Sequence, residues 1–129
     1  MSYPADRRYT KDHEWALPTG SGQVRVGLTD FAQKQLGDVV FVELPKVGDV
    51  YDSGDPFGTV ESVKAVSEVY APVSGTVLAV NDDLDQSPEA INEEADTAWL
   101  VELKVSDAKE LDGLLTADQY EAYIAEEAA

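Results

Sequence analysis

The strongest constraint on the fold is the alternation of apolar and polar residues in short runs. In QVRVGLT, Val24, Val26 and Leu28 alternate with polar or small residues, which is typical of a strand with one buried face. Turn-rich stretches such as LPTGSG, LPKVGD, YDSGD and NDDLDQSP separate similar runs. These runs are HEWAL, VVFVEL, PFGTVESV, AVSEVYAPV, GTVLAV and WLVELKV. Many short strands at this spacing favour a barrel or sandwich, so we expect a mainly β protein.

Helix signals occur at two places. TDFAQKQLG offers Thr29 as an N-cap and Gly37 as a C-terminal stop, which predicts a short inserted helix. In the C-terminal tail, Asp107 is followed three residues later by Glu110, and Thr116 by Gln119. This spacing is that of a capping box and predicts C-terminal helices. Because no linker separates the tail from the strands, we expect residues 1–129 to form a single domain.

Composition excludes several classes of function. The chain has 129 residues, a formal net charge of -17 and no cysteine. The acidity argues against nucleic-acid and anionic-membrane partners, since both reward clustered Lys and Arg. The lack of cysteine excludes disulfides, thiol nucleophiles and cysteine metal sites. No apolar run approaches the ~20 residues of a membrane span, and the N-terminus has no hydrophobic signal core. We therefore expect a cytoplasmic protein away from membranes.

The stretch VESVKAVSEV, residues 60–69, reads the same in both directions around Lys64 and Ala65. If these two residues form a two-residue hairpin loop, Val60 pairs with Val69 and Glu61 lies opposite Glu68. Opposed like charges destabilise a sheet, and tight hairpin turns favour glycine, which this loop lacks. Lys64 is the only basic residue between Lys46 and Lys104, a segment with thirteen Asp and Glu. An isolated amine at an exposed tip could carry a covalent arm, as carrier proteins require.

Four segments in a fixed order cover nearly the whole chain: RYTKDHEW, VGLTDFAQKQLGDVVFVELPKVGD, FGTVESVKAVSEVYAPVSGTVLAVN and SPEAIN. Together they resemble the H-protein family of the glycine cleavage system. The resemblance implies a barrel-sandwich hybrid of the lipoyl and biotinyl carrier type, with a hairpin lysine, a short inserted helix and C-terminal helices. It also implies lipoic acid as an amide on Lys64, which matches the family's lysine in ESVKA. Such a protein is a carrier, not an enzyme, and has no catalytic residue.

The resemblance also implies partners and further site residues. The carrier would take the aminomethyl group of glycine from the P protein (glycine decarboxylase) to the T protein (aminomethyltransferase), and electrons to the L protein. Glu61 and Gly75 match the positions on which lipoate attachment depends, so lipoate-attaching enzymes are further partners. Glu14 of HEW and Glu68 match positions near the loaded arm, with Asp12 close by. A monomer is expected.

Other functions are also compatible with the sequence. A biotin carrier shares the hairpin lysine, but methionines typically flank that lysine, whereas Val63 and Ala65 stand here. A lipoyl carrier of sulfur metabolism, a lipoate relay and an unmodified interaction module are further alternatives. The chain also departs from the family after SPEAIN, because NEEADTAW replaces a Pro-Tyr-Gly loop. The conformation of residues 93–98 therefore does not follow from the resemblance.

Two polar features have simpler explanations than a metal site. His13 is the only histidine, which excludes a histidine cluster, so a structural role is expected. NDDLDQSPEAIN begins like a calcium-binding loop. However, Gln86 stands where that loop needs glycine, and Asn92 stands where it needs the bidentate glutamate. We expect no metal site.

Overall fold

The computed structural model describes residues 3–20 and 22–128. This part of the chain forms nine strands and five helices. The strands are β1 Arg8–Tyr9, β2 Glu14–Gly20, β3 Gln23–Leu28, β4 Val39–Glu43, β5 Val50–Tyr51, β6 Pro56–Ser62, β7 Val66–Tyr70, β8 Gly75–Val80 and β9 Trp99–Val105. The helices are α1 Asp30–Leu36, α2 Asp83–Gln86, α3 Ala90–Glu93, α4 Lys109–Asp112 and α5 Ala117–Ala128. The predicted mainly β fold with a short inserted helix and C-terminal helices is confirmed.

The strands form two antiparallel sheets that share one core. The larger sheet has the order β1-β2-β3-β9-β8-β5, and the smaller has the order β4-β6-β7. Val24 and Val26 of β3 belong to the same buried cluster as Val60 of β6 and Val69 of β7. The predicted alternation is confirmed, since these four side chains are almost fully buried. The two sheets therefore stack their apolar faces on each other, as expected for a sandwich-like carrier fold.

A second, aromatic cluster joins the C-terminal helix α5 to β1 and β2. Its buried members include Tyr9, Trp15 and Tyr120, and the rings of Tyr9 and Tyr120 stack at 4.9 Å with an interplanar angle of 11°. Thr116 caps this helix as predicted: its amide donates to Gln119 Oε1, and the Gln119 amide donates to Thr116 Oγ1. The tail thus packs on the β-sheet core, because the aromatic cluster buries its apolar face.

The capping box predicted at Asp107 is wrong in one respect. Asp107 Oδ1 accepts the amide of Lys109, but Glu110 does not reach back to Asp107. Its carboxylate instead accepts the amide of Ser74 at 2.6 Å and the hydroxyl of Ser74 at 3.1 Å. The carboxylate of Glu110 finds a tertiary partner on the loop before β8, which the local spacing does not reveal.

The inserted helix α1 has both predicted ends. Thr29 Oγ1 accepts the amide of Ala32, and Gly37 ends the helix at a φ of 78°. Asn92, from the calcium-like segment, fixes this end. Its amide donates to Gly37 O at 2.8 Å, and its Oδ1 accepts the amide of Val39 at 2.8 Å. The segment therefore serves as a structural clamp on the turn from α1 to β4.

The loop at residues 93–98 packs closely on the aromatic cluster. Trp15 Nε1 donates to Ala95 O at 2.9 Å and also to Leu28 O at 3.0 Å. Arg7 donates to Asp96 O at 2.6 Å, and its guanidinium lies 4.6 Å from the centroid of the Trp15 ring. Trp15 is thus a core residue, as expected, and it anchors the loop whose conformation the resemblance left open.

Within the described residues, none of the helices has the length and apolar character required to cross a bilayer.

The contact between Gly27 and Trp15 gives a test of this packing. A β-carbon on Gly27 would lie 2.3 Å from Trp15 Cζ2, and the indole cannot retreat without losing its bonds to Leu28 and Ala95. We expect Gly27→Ala to lower the free energy of unfolding by roughly 1–3 kcal/mol, the usual range for an overpacked core.

Gly20→Ala is the matched control, because its β-carbon would meet only Gln23 Oε1, at 3.9 Å. Urea unfolding followed by tryptophan fluorescence measures both variants. Equal stability of the two variants would contradict the close packing at Gly27.

Candidate functional site

The β6–β7 hairpin presents Lys64, but in a different register from the palindromic one. Glu61 pairs with Val66, Val60 with Ser67, and Thr59 with Glu68. The predicted opposition of Glu61 and Glu68 and the predicted pair of Val60 and Val69 are therefore wrong. Three residues, Val63, Lys64 and Ala65, separate the two strands in place of the predicted two, and the Ser62 amide donates to Ala65 O at 2.8 Å. Lys64 still lies at the tip of the hairpin.

The hydroxyl of Ser62 explains how this loop forms without glycine. Ser62 Oγ accepts the amides of Lys64 at 3.2 Å and Ala65 at 3.1 Å, and it donates to Ala65 O. Such bonds from a serine to amides two and three residues later stabilise a turn at negative φ. A two-residue type I′ turn would require positive φ at Lys64 and Ala65, whereas His13 is the only described residue other than glycine with positive φ. Ser62 was not among the predicted site residues, although a serine before a glycine-free turn is a recognisable signal.

Lys64 is exposed, and its aliphatic part lies over the end of α1. A β-carbon on Gly37 would be 3.1 Å from Lys64 Cε and 3.7 Å from Nζ, so the missing side chain at Gly37 leaves room for the lysine. The amide of Val63 donates to Asp38 O at 3.0 Å and ties the tip to the same turn. Among residues 3–20 and 22–128, Lys64 forms no ion pair. Its amine is therefore available to a modifying enzyme.

A cleft of about 290 Å³ begins beside the hairpin tip. Its lining comes from the segment before β2, helix α1, the strands β3, β6 and β7, and the hairpin loop. The lining residues are Asp12, His13, Leu28, Ala32, Gln35, Leu36, Val60, Ala65, Val66, Ser67, Glu68 and Val69. Ala65 follows Lys64 directly, so an arm on the lysine has a short path into the cleft. The volume and mixed lining fit a small, largely apolar group with a polar end.

The sequence-predicted carboxylates occupy three different environments. Glu68 and Asp12 are exposed and line the cleft, and Glu68 Oε2 accepts the hydroxyl of Tyr70 at 3.2 Å. Glu61 is exposed on the other face of the hairpin, opposite Val66 and Phe41. The structure therefore places Glu68 and Asp12 together at the cleft and leaves Glu61 outside it.

Glu14 lies behind the cleft wall and is only 1% exposed. One oxygen accepts the Thr10 hydroxyl at 2.7 Å, and the other accepts the Tyr70 amide at 3.0 Å. Burial raises the pKa of Glu14 to about 7, although the hydrogen bonds from Thr10 and Tyr70 act in the opposite direction. Glu14 is thus a buried acid that can exchange a proton near neutral pH, next to the cleft residues Asp12 and His13.

Gly75 lies in the larger sheet, where it begins β8 and pairs with Val105 and Tyr51. A β-carbon there would lie 2.4 Å from Lys104 O, a contact that real side chains do not make. The backbone of β9 therefore requires glycine at this position. Its predicted role in lipoate attachment stays a prediction beside this structural requirement.

A second cavity, of about 310 Å³, lies next to Asp30 and residues 92–97 and does not include the hairpin. Its lining includes Asp30, Glu93, Glu94 and Asp96, and Asp30 is paired with Lys34 at 3.0 Å. Within the described residues no group of three or more potential metal ligands is arranged to hold an ion. The hairpin cleft is the better candidate, because it adjoins an unpaired amine.

The turn bonds of Ser62 can be tested by removing its hydroxyl. Ser62→Ala deprives two loop amides of their acceptor, so we expect a loss of ~1 kcal/mol in the free energy of unfolding. Ser67→Ala is the control, since Ser67 is exposed and its hydroxyl has no bond within the described residues. Chemical denaturation compares the variants, and hydrogen exchange at Ala65 should accelerate only in Ser62→Ala. Unchanged exchange at Ala65 would show that the hydroxyl does not hold the turn.

The raised pKa of Glu14 predicts a pH-dependent stability. The pKa of Glu14 rises from 4.5 in the unfolded chain to about 7 in the fold, so the folded state favours the protonated acid. The protein is therefore more stable at low pH, where this acid is protonated, than at high pH. This contribution is complete below pH 4.5 and is lost as the pH rises through 7. Glu14→Gln mimics the protonated form, so its stability advantage over the wild type should grow by ~3 kcal/mol across that window.

Urea unfolding at pH 5, 6, 7 and 8 measures this difference. Glu61→Gln controls for the loss of one negative charge, because its carboxylate is exposed. A constant difference between Glu14→Gln and the wild type over this range would refute the raised pKa.

Comparisons with known proteins show the family of the chain. The family model described as glycine cleavage H-protein matches residues 7–127. A glycine cleavage system H protein of Acidobacterium capsulatum is 57% identical, with 98% of each chain covered, and one of Oceanobacillus iheyensis is 55% identical over 96% of this chain and 98% of its own. The crystal structure of an H protein from Mycobacterium marinum superposes with a TM-score of 0.81 at 37% identity, covering 98% of this chain and all of that one. The chain therefore belongs to the glycine cleavage H-protein family.

Proposed function

We propose that the chain carries lipoic acid as an amide on Lys64 and uses this arm within the glycine cleavage system. As a member of the H-protein family, it is a lipoyl carrier and not an enzyme. The observation that supports Lys64 is its position: an exposed amine without an ion-pair partner in the described chain, at a hairpin tip that adjoins a cleft. No other element of the described chain combines these three features.

The residues around the cleft fit a lipoyl arm. Leu28, Leu36 and Val60 give the cleft apolar walls, and Asp12 and Glu68 place carboxylates at the same cleft. A bound lipoyl group would supply a disulfide. This disulfide accepts electrons and a one-carbon fragment that carries an amine. The chain's own contribution is to shelter that amine from water and to hold its positive charge. Charge-assisted hydrogen bonds to a carboxylate contribute roughly 1.5–3 kcal/mol each in such a site.

Glu14 has a less direct part in this proposal than the sequence alone implies. Both of its oxygens already accept hydrogen bonds from Thr10 and Tyr70, and its side chain is buried behind the wall. Direct contact with a loaded arm would require one of these bonds to break. We propose that Glu68 and Asp12 bind the amine first, and that Glu14 supports the wall through the Tyr70 amide.

The partners follow from the family and from the charge. The family acts with the other components of the glycine cleavage system, and we propose that these are the P, T and L proteins named above. The chain carries 26 acidic and 9 basic residues, so docking faces with basic residues would fit it. We further propose that lipoate-attaching enzymes read the hairpin through Glu61, with Gly75 required for the sheet. The protein is proposed to act as a cytoplasmic monomer with a single domain.

The attachment site can be tested directly. Lys64→Arg keeps the charge but cannot form the amide, so lipoylation and glycine cleavage should both fall to background while the fold is unchanged. Substitution at an exposed tip changes stability by about 0.5 kcal/mol or less. Peptide mapping by mass spectrometry of the natively expressed protein locates the modification, and circular dichroism checks the fold.

Lys46→Arg and Lys104→Arg are the matched controls, since both lysines are exposed and lie outside the hairpin. They should retain full lipoylation. Lipoate on either of them, or glycine cleavage by Lys64→Arg, would refute the assignment. If mapping finds a different acyl group on Lys64, Lys64 remains the attachment site and the assignment of lipoic acid is wrong.

A further inference from the structure

The hydroxyl of Tyr120 lies at a junction that the proposed function does not explain. Tyr120 belongs to α5, and its side chain is completely buried in the aromatic cluster. Its oxygen lies 2.9 Å from His13 Nδ1 and 2.7 Å from Thr29 Oγ1. One atom of the C-terminal helix thus bonds to two residues that are 16 positions apart in the N-terminal part of the chain.

Each of these two residues belongs to one wall of the cleft or holds that wall in place. His13 lines the cleft itself, on the segment before β2. Thr29 caps α1 by accepting the amide of Ala32 at 3.2 Å, and Ala32, Gln35 and Leu36 of that helix form the facing wall. The Thr29 amide also donates to His13 O at 3.0 Å. Tyr120 therefore adds a side-chain bridge between two walls that are otherwise joined here by this backbone bond and by the packing of the His13 ring on Phe31.

One arrangement of protons satisfies the donors and acceptors at this junction. Glu127 Oε2 lies 3.4 Å from His13 Nε2, which favours the proton on that nitrogen. Nδ1 then accepts from the Tyr120 hydroxyl, and the Thr29 hydroxyl donates to the Tyr120 oxygen. A lone pair of Thr29 remains for the Ala32 amide. Every polar atom of the junction is used, so removing the phenol oxygen leaves a buried nitrogen without its donor and a buried hydroxyl without its acceptor.

The backbone of His13 makes its position sensitive to this loss. It has a φ of 70°, a conformation that residues other than glycine rarely adopt unless the surroundings hold them there. The His13 ring also packs against Phe31 at 4.7 Å between centroids. With the Tyr120 hydroxyl removed, the ring loses its shortest polar contact with α5 and keeps the 3.4 Å contact of Nε2 with Glu127.

We propose that Tyr120 is a positioning residue for the arm cleft, through which the C-terminal helix α5 sets the separation of His13 and α1. A carrier with a well-fixed cleft shelters its loaded arm, and a loosened cleft admits water. The inference depends on the proposed function, because it assumes that the cleft receives the arm of Lys64.

Tyr120→Phe and Tyr9→Phe form a matched pair for the test. The two rings stack on each other, but the Tyr9 hydroxyl donates to Pro4 O at 2.6 Å, away from the cleft. Each variant loses one buried phenol oxygen from the same cluster. A general loss of stability would affect both, whereas a cleft effect should appear only in Tyr120→Phe.

The first readout is the lifetime of the loaded arm. Lipoylated protein is reduced, and one arm thiol is condensed with formaldehyde and ammonia, with loss of one water, to give the aminomethyl adduct. Mass spectrometry follows its decay beside the same adduct of free dihydrolipoamide. We expect the adduct to last longer on the wild type and on Tyr9→Phe than on free dihydrolipoamide. Tyr120→Phe should shorten this lifetime about fivefold, the factor set by one typical hydrogen bond.

The second readout does not need the arm. Hydrogen exchange at the Ala32 amide should accelerate by a similar factor in unlipoylated Tyr120→Phe and stay unchanged in Tyr9→Phe. Equal effects of both variants, or no effect of Tyr120→Phe on a sheltered wild-type arm, would overturn the role of Tyr120. A wild-type adduct that decays as fast as free dihydrolipoamide would instead refute the sheltering cleft of the proposed function, even if exchange at Ala32 still responds to Tyr120→Phe.

Discussion

The register of the β6–β7 hairpin decides where Lys64 points, and much of the candidate site depends on it. Val60 and Val69 must both face the shared core of the two sheets. A shift of two residues between the strands leaves these faces unchanged, because side chains alternate with a period of two. The apolar pattern therefore permits both the palindromic register and the observed one. The bonds of the Ser62 hydroxyl select between them, and the observed register also separates Glu61 from Glu68.

The turn from α1 to β4 also supports the hairpin tip, although it lies outside the hairpin. Gly37 leaves space for the stem of Lys64, and Asp38 O accepts the amide of Val63 at the tip. Asn92 holds the same turn through Gly37 O and the amide of Val39. A segment that resembles a calcium loop in sequence thus acts as a brace for the hairpin. The side chains of Asn81 and Asn92 bond to backbone groups that need partners.

Glu14 supports the cleft from behind its wall. Its burial costs stability above neutral pH, yet its hydrogen bond to the Tyr70 amide holds the end of β7 beside the cleft. The exposed carboxylates of Asp12 and Glu68 do not carry that cost and lie at the cleft itself. Asp12 and Glu68 can therefore contact a charged ligand, whereas Glu14 fixes the wall behind them.

The sequence by itself determined the strand faces, the ends of α1, the Thr116 cap and the isolation of Lys64 among acidic residues. These features depend on neighbours within a few positions, where periodicity and capping rules apply directly. The motifs in their order also identified the family. The sequence did not determine the hairpin register, the Ser74 partner of Glu110, the clamp by Asn92 or the burial of Glu14. Each of these depends on which distant backbone groups and side chains meet after the two sheets and α5 have packed, and only the tertiary structure decides those contacts.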